Sequence, residues 1–192
     1  MLDGYIDFVA SLFPSISTNI KESAKESILQ FYTRHKEFPC FTDDNIADIN
    51  QGDILKNIPF RIYNQNGEEM EYINDGLVIS NSCDIENDDQ ILIAPFFPIQ
   101  SLNIDITALK NNIYYKLIYF PDKRYADKVA DFSLMSPFPK KLLLNKISTG
   151  KVTKLFSLNL IGYYLLISKI TVHLLRPEDS GVQKCRDNGL YL

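Results

Sequence analysis

The chain has 192 residues, 45% apolar and 23% charged, with a net charge of −4, which suits one large soluble domain, or one domain with helical additions, and a well-filled core. Such mild acidity excludes a global attraction to nucleic acid, which needs a clustered basic face; the most basic stretch, Lys140, Lys141, Lys146, Lys151 and Lys154, reads as a solvated loop and helix start. Cys40, Cys83 and Cys185 are three in number, far apart and without a Cys-x-x-Cys pair, which argues against a disulfide framework or a zinc ribbon and suits a reducing, cytoplasmic setting.

The first residues, MLDGYIDFVASLF, lack the basic start and small-residue cleavage site of a signal peptide. A short helix is predicted over 2–12, with Asp3 as its cap and Tyr5, Phe8, Val9 and Leu12 on one face, stopped by Pro14. A second helix is predicted over 20–36. Asn19 and Glu22 have capping-box spacing, and Ile20, Ala24, Ile28, Phe31 and His35 form one stripe. After Pro39 the texture changes to short apolar runs broken by turn residues. Strands are predicted at 58–63, 68–73, 75–82, 90–99 and 114–121, with a hairpin turn at Asn64–Gly67 and an acidic loop at 86–89. Residues 129–139 read as a strand and then a turn. Residues 158–175 read as a buried helix or a pair of strands; Tyr, Ile, Thr and Val favour strands, but Ser157 can cap a helix with Leu158, Ile161, Leu165, Lys169 and Val172 on one face, and helix is the expectation. The run from Leu155 to Leu175 is long enough to span a bilayer, but Asn159, Lys169 and His173 interrupt it, so no membrane role is expected. The organisation expected is a helical extension at 1–38, a β-rich domain with a C-terminal helix at 39–178, and a polar tail at 179–192.

Chemistry is best sought at Ser80-Asn81-Ser82-Cys83-Asp84, where a buried strand gives way to a loop. Ser80, Cys83 and Asp84 are the candidate catalytic residues. A cysteine nucleophile needs a nearby histidine, a cation or a helix N-terminus, and the chain has only His35 and His173. The plainer reading makes Cys83 a small buried residue ending its strand and Asp84 a turn cap. Asp84, Glu86, Asp88 and Asp89 lack the glycine and distant glutamate of a calcium loop. No metal and no cofactor is expected, since no phosphate-cradling loop, dinucleotide fingerprint or HExxH is present.

Three runs carry a family likeness. INQGDIL at 49–55, GLVISNSCDI at 76–85 and ILIAPFFPI at 91–99 resemble the MazF/PemK type of SH3-like barrel, over about 50 residues. Gly52, Asp53 and Ile54 match its first element, Val78, Ile79 and Ser80 its second, and Ile91 to Pro95 its third. The Ser80-x-x-Cys83-Asp84 strand end is also similar to that of bacterial proteins with such a barrel and a C-terminal helix. The resemblance implies an α+β fold with a small SH3-like β-barrel core, N-terminal helices and a C-terminal helix. The family's toxins cut RNA with a basic residue before the second strand and a hydroxyl residue after the third. Here Asn74 and Asp75, then Phe96, Phe97 and Pro98, hold those places, so the nuclease residues do not carry over.

Three functions compete. The first is a non-catalytic protein-interaction module in a toxin–antitoxin or phage-defence system, its partner another protein. The second is a ribonuclease toxin acting on RNA, with Arg61, Arg34 or Arg124 as relocated cation and Ser80 or Ser82 as hydroxyl. The third is a cysteine-dependent hydrolase or transferase using Cys83 with His35 or His173. The first leads, because the strands match without the catalysts.

Overall fold

The computed structural model describes residues 38–44, 46–64, 66–175 and 179–189; the two N-terminal helices expected from the sequence lie outside them. Eight antiparallel strands follow in chain order: β1 (Phe41–Thr42), β2 (Ile54–Tyr63), β3 (Glu69–Val78), β4 (Gln90–Pro98), β5 (Leu117–Ile118), β6 (Lys128–Asp131), β7 (Ser136–Pro139) and β8 (Thr153–Leu158). Five helices are interspersed: α1 (Ser82–Asn87), α2 (Ile106–Lys110), α3 (Lys140–Ser148), α4 (Leu160–Leu174) and α5 (Ser180–Gly189). The strands are ordered β1-β8-β2-β3-β4-β6-β5, with β7 also on β4. The architecture is α+β. The ladder is open between β1 and β5 among the described residues, so the expected barrel is not closed.

Local chemistry explains the strands. The hairpin turn is built by Asn64, whose side-chain oxygen accepts the Asn66 and Glu68 amides at 2.9 Å each, while Gly67 takes a φ of +79°. β2 carries a bulge between Leu55 and Ile58, where Asn57 adopts a φ of +66°. An irregularity of this kind resets the side-chain alternation, and Ile58 and Phe60 both end inside although Pro59 lies between them. β3 is one strand of 10 residues rather than the two expected. Asn74-Asp75-Gly76 does not break it, because Asp75 is bonded by Tyr125 and Lys128. Gly76 lacks the Cβ that would stand 2.5 Å from Ile93 of β4.

The centre of the sheet is buried on both faces, which is why β4 reads as a continuous apolar run. Leu77, Ala94 and Phe96 pack with Leu165 and Leu166 of α4. Val78, Ile91 and Ile93 pack on the other face with Ile85 of α1 and Leu143 of α3. Each neighbouring pair, such as Leu77 and Val78, thus feeds two cores.

The C-terminal third differs from expectation in detail. Of residues 129–139, expected as a strand and then a turn, the last four form β7, paired along β4 from Gln90↔Pro139 to Ile93↔Ser136. The expected helix is present as α4, but its cap is Asn159, whose Oδ1 accepts the Gly162 amide at 2.9 Å. Ser157 instead lies within β8, paired with Thr42. Of the expected stripe, Leu165 and Lys169 are buried, in company with Gly162, Tyr164, Leu166 and Ser168. The polar tail contains α5. No helix among the described residues is long and apolar enough to cross a membrane.

Candidate functional site

The Ser80–Asp84 segment turns from strand into helix. Past β3, the amides of Ile79 and Ser80 still donate to Leu92 O at 2.8 and 3.4 Å. The Ser80 hydroxyl accepts the Leu92 amide at 2.8 Å. Asn81 then caps α1, accepting the Cys83 amide at 2.9 Å. This cap starts a helix where an acidic loop was expected, and it places Cys83 in the first turn. Cys83 is exposed, which corrects its reading as a buried strand-ending residue. Asp84 is also exposed in that turn, where the helix dipole favours a carboxylate.

Around Cys83 lies a polar contact set that the sequence did not signal. Ser82 Oγ accepts the Gln51 amide at 3.1 Å, and Gln51 Nε2 donates to Ile79 O at 2.7 Å. The Tyr163 hydroxyl, from α4, donates to Gln51 Oε1 at 3.4 Å. Burial, and secondarily the nearby Cys83, pushes the Tyr163 phenol above its ordinary value. Ser82, Cys83, Gln51 and Tyr163 therefore share one surface, whereas Ser80 serves the strand pairing. His173 is ten residues further along α4 than Tyr163, about 15 Å of helix rise, and its ring packs on Phe132 at 5.5 Å. His35 lies outside the described residues.

A second candidate surface is the outer half of the β2–β3 hairpin. From Ile58↔Asn74 to Tyr63↔Glu69 these strands pair with each other. β8 reaches β2 only at Ile54–Lys56, so among the described residues no strand takes the other edge of Ile58–Tyr63. Tyr63 is 73% exposed, Ile73 66% and Met70 49%. Tyr63 shares a face with Pro59, Arg61, Glu69, Glu71 and Ile73. The opposite face is anchored by Phe60, stacked on Tyr72 at 5.6 Å and met edge-on by Phe138 at 5.4 Å. At the base of this arm a groove of about 550 Å³ is bounded by Pro59, Arg61 and Glu71 on one side and by β7, Leu142 and Lys146 on the other.

Of the basic residues expected for a relocated nuclease site, Arg61 and Arg124 are engaged, and Arg34 lies outside the described residues. Arg61 bridges Glu69 at 3.2 Å and Glu71 at 3.6 Å. Arg124 holds Asp122 through Nε and Nη2, reaches Asp43 at 2.8 Å, and donates to Phe41 O at 2.7 Å. Asp122 also accepts the Cys40 amide at 2.8 Å. Burial raises its carboxyl, but the bonds from Arg124 and Cys40 outweigh that and hold it at about 2.

Two further buried carboxylates were not anticipated. Asp53, within the Gly52-Asp53-Ile54 element, pairs with Lys154 at 2.7 Å, and Lys154 also clamps Ile46 O and Asp48 O. Asp75 stands next to Gly76, where the resembled family has its basic residue. It gathers Tyr125 at 2.6 Å and Lys128 from the β6 segment. Asp75 was noticed only as a departure, because its partners lie 50 and 53 positions away. No cluster of three or more potential metal ligands occurs among the described residues.

No protein-family model matches the chain, and no curated protein matches it. Among solved structures it is similar to a crystal structure of MazE-MazF (Form-II) from Deinococcus radiodurans, with a TM-score of 0.41 and 11% identity over 70% of this chain and 100% of that one.

Proposed function

We propose that the chain is a non-catalytic protein-interaction module whose docking element is the outer β2–β3 hairpin. One observation carries this reading. The arm holds Tyr63, Met70 and Ile73 well exposed, with one backbone edge unpaired by any described strand. Exposed apolar groups on a sheet edge favour association. The toxin–antitoxin or phage-defence setting belongs to the proposal through the family resemblance of residues 49–99. The test is quantitative mass spectrometry of proteins bound to the tagged full chain in its source cell. A partner held by wild type and by Cys83→Ala, but lost with Tyr63→Ser/Ile73→Ser, supports the reading. Cleavage of RNA by the purified chain overturns it.

A second reading rests on the exposed Cys83 beside Gln51 and Tyr163. There the thiol would act as nucleophile with Asp84 beside it, while Ser80 stays with the Leu92 pairing. It predicts an activity abolished by Cys83→Ala and untouched by the arm variants.

A further inference from the structure

The tip of the β2–β3 arm carries Asn66-Gly67, a pair whose side-chain amide and following backbone nitrogen can react with each other. The Gly67 nitrogen attacks Asn66 Cγ and ammonia leaves, which closes a succinimide ring. Water then opens the ring at either carbonyl and yields aspartate or isoaspartate. Water is the only co-reactant. Glycine in the second place favours the attack, because no Cβ shields its nitrogen.

Three observations leave this pair open to reaction. Asn66 and Gly67 are both exposed, so water reaches the ring. A Cβ built at Gly67 would meet nothing within 4 Å, so the ring has room to close. Among the described residues, no hydrogen bond holds the Asn66 side-chain amide.

The turn itself supplies the restraint. The Gly67 amide donates to Asn64 O at 3.0 Å, and while that bond is made the nitrogen is committed as a donor. Asn64 Oδ1 holds the same turn together by accepting the Asn66 and Glu68 amides at 2.9 Å each. All of these groups face water, and Glu68, Glu69 and Met70 beyond them are exposed as well. A turn closed by exposed hydrogen bonds, without buried apolar contacts, opens at little cost in free energy. Opening of the turn therefore gates the chemistry.

We propose that Asn66 is a self-modification site, deamidating spontaneously through Gly67 and converting the arm irreversibly as the protein ages. Either product places a new carboxylate close to Glu68 and Glu69. Isoaspartate also adds a methylene to the main chain, inside the turn that sets the register from Tyr63↔Glu69 inward. The chain's other Asn-Gly pair, Asn188-Gly189, lies in α5, outside the arm. The modification stands apart from the interaction reading, and only its effect on partner binding rests on that reading.

The test incubates the purified full chain at mildly alkaline pH, in native buffer and in urea. Peptide mapping with electron-transfer fragmentation then separates asparagine, aspartate and isoaspartate at position 66. Conversion is expected in native buffer, more slowly than in urea, and is lost in Asn66→Gln. Asn64→Ala, which removes the Oδ1 acceptor, should convert faster than wild type in native buffer. A circular dichroism spectrum matching wild type shows that this gain comes from the turn and not from global unfolding. Absence of conversion in native buffer overturns the inference, whether or not urea restores it. Equal native rates in wild type and Asn64→Ala overturn the gating by the turn. Partner capture that declines with conversion in wild type, but not in Asn66→Gln, supports the effect on docking. Capture unchanged by complete conversion refutes that effect and leaves the modification standing.

Discussion

Gly162→Ala sets helix propensity against packing. In the first turn of α4, alanine should stabilise by about 1 kcal/mol on propensity alone. The structure reverses the sign. A Cβ at Gly162 would stand 2.2 Å from Cys40 O and 2.9 Å from Leu158 Cδ2. The leucine branch can turn aside, but the Cys40 backbone is held from several directions. Its amide donates to Asp122 at 2.8 Å, its carbonyl accepts the Asn159 amide at 2.9 Å, and Asn159 Nδ2 donates to Pro39 O at 2.9 Å. Relief therefore requires α4 to back away from β1, straining the Asn159 cap. Overpacking costs about 1–3 kcal/mol and a weakened hydrogen bond about 1 kcal/mol. Net of propensity, the loss is about 2 kcal/mol, or roughly 4–8 °C in Tm for a chain of this length. Thermal and urea unfolding followed by circular dichroism measure it. A midpoint equal to or above wild type refutes the packing of α4 on Cys40 described above.

The Asp122–Arg124 pair predicts acid sensitivity. Asp122 is held at about 2, below its ordinary 3.8, so its contribution of about 2 kcal/mol is complete above the unfolded value and fades as pH falls towards the folded one. The stability difference between wild type and Asp122→Asn should shrink across that window, and a constant difference would contradict this account. Lys169 behaves in the opposite sense. Burial lowers it from 10.5 to about 8, so the unfolded chain binds more protons between those values and stability rises with pH there. Lys169→Met should remove that alkaline gain in urea midpoints, and an unchanged slope would argue against it. For the cysteines, burial, with Asp122 adding to it, pushes the Cys40 thiol up, whereas Cys83 and Cys185 are exposed. Alkylation of the native protein should modify Cys83 and Cys185 at comparable rates and spare Cys40 until denaturation. A Cys83 reacting about tenfold faster than Cys185 at mildly acidic pH would favour the cysteine reading.

What the sequence made legible was mostly local. Asn64–Gly67 closes its hairpin through contacts within five residues, and the apolar run of β4 reflects burial on both faces. α4 forms although its Tyr, Ile, Thr and Val favour strands, because helical spacing persists through it. Two of the failures share one cause, which is distance along the chain. Asn74-Asp75-Gly76 looked like a strand break because Tyr125 and Lys128, which satisfy Asp75, are remote in sequence. Pro137 and Pro139 looked like turn residues because β7 gains its pairing from β4. At Cys83 the error was local but competitive: Asn81 could end a strand or cap a helix, and only the contacts of Ser80 with Leu92 and of Ser82 with Gln51 decide between them.

The same long strands also explain why function is sought on the arm. β3 is buried on both faces from Gly76 to Val78, and β2 at Ile54 and Leu55. Substitutions there act on stability first. Beyond the Asn57 bulge the hairpin leaves the shelter of the sheet, and Phe60, Tyr72 and Phe138 anchor only one of its faces. Among the described residues, the other face keeps Tyr63 and Ile73 exposed, while Arg61, Glu69 and Glu71 interleave charge between them. That interleaving maintains solubility in the unbound chain. It also leaves apolar area that no described strand covers, whereas the Cys83 surface is already stitched together by Gln51, Ser82 and Tyr163. Energetically, the arm has more to gain from a partner than the strand end does.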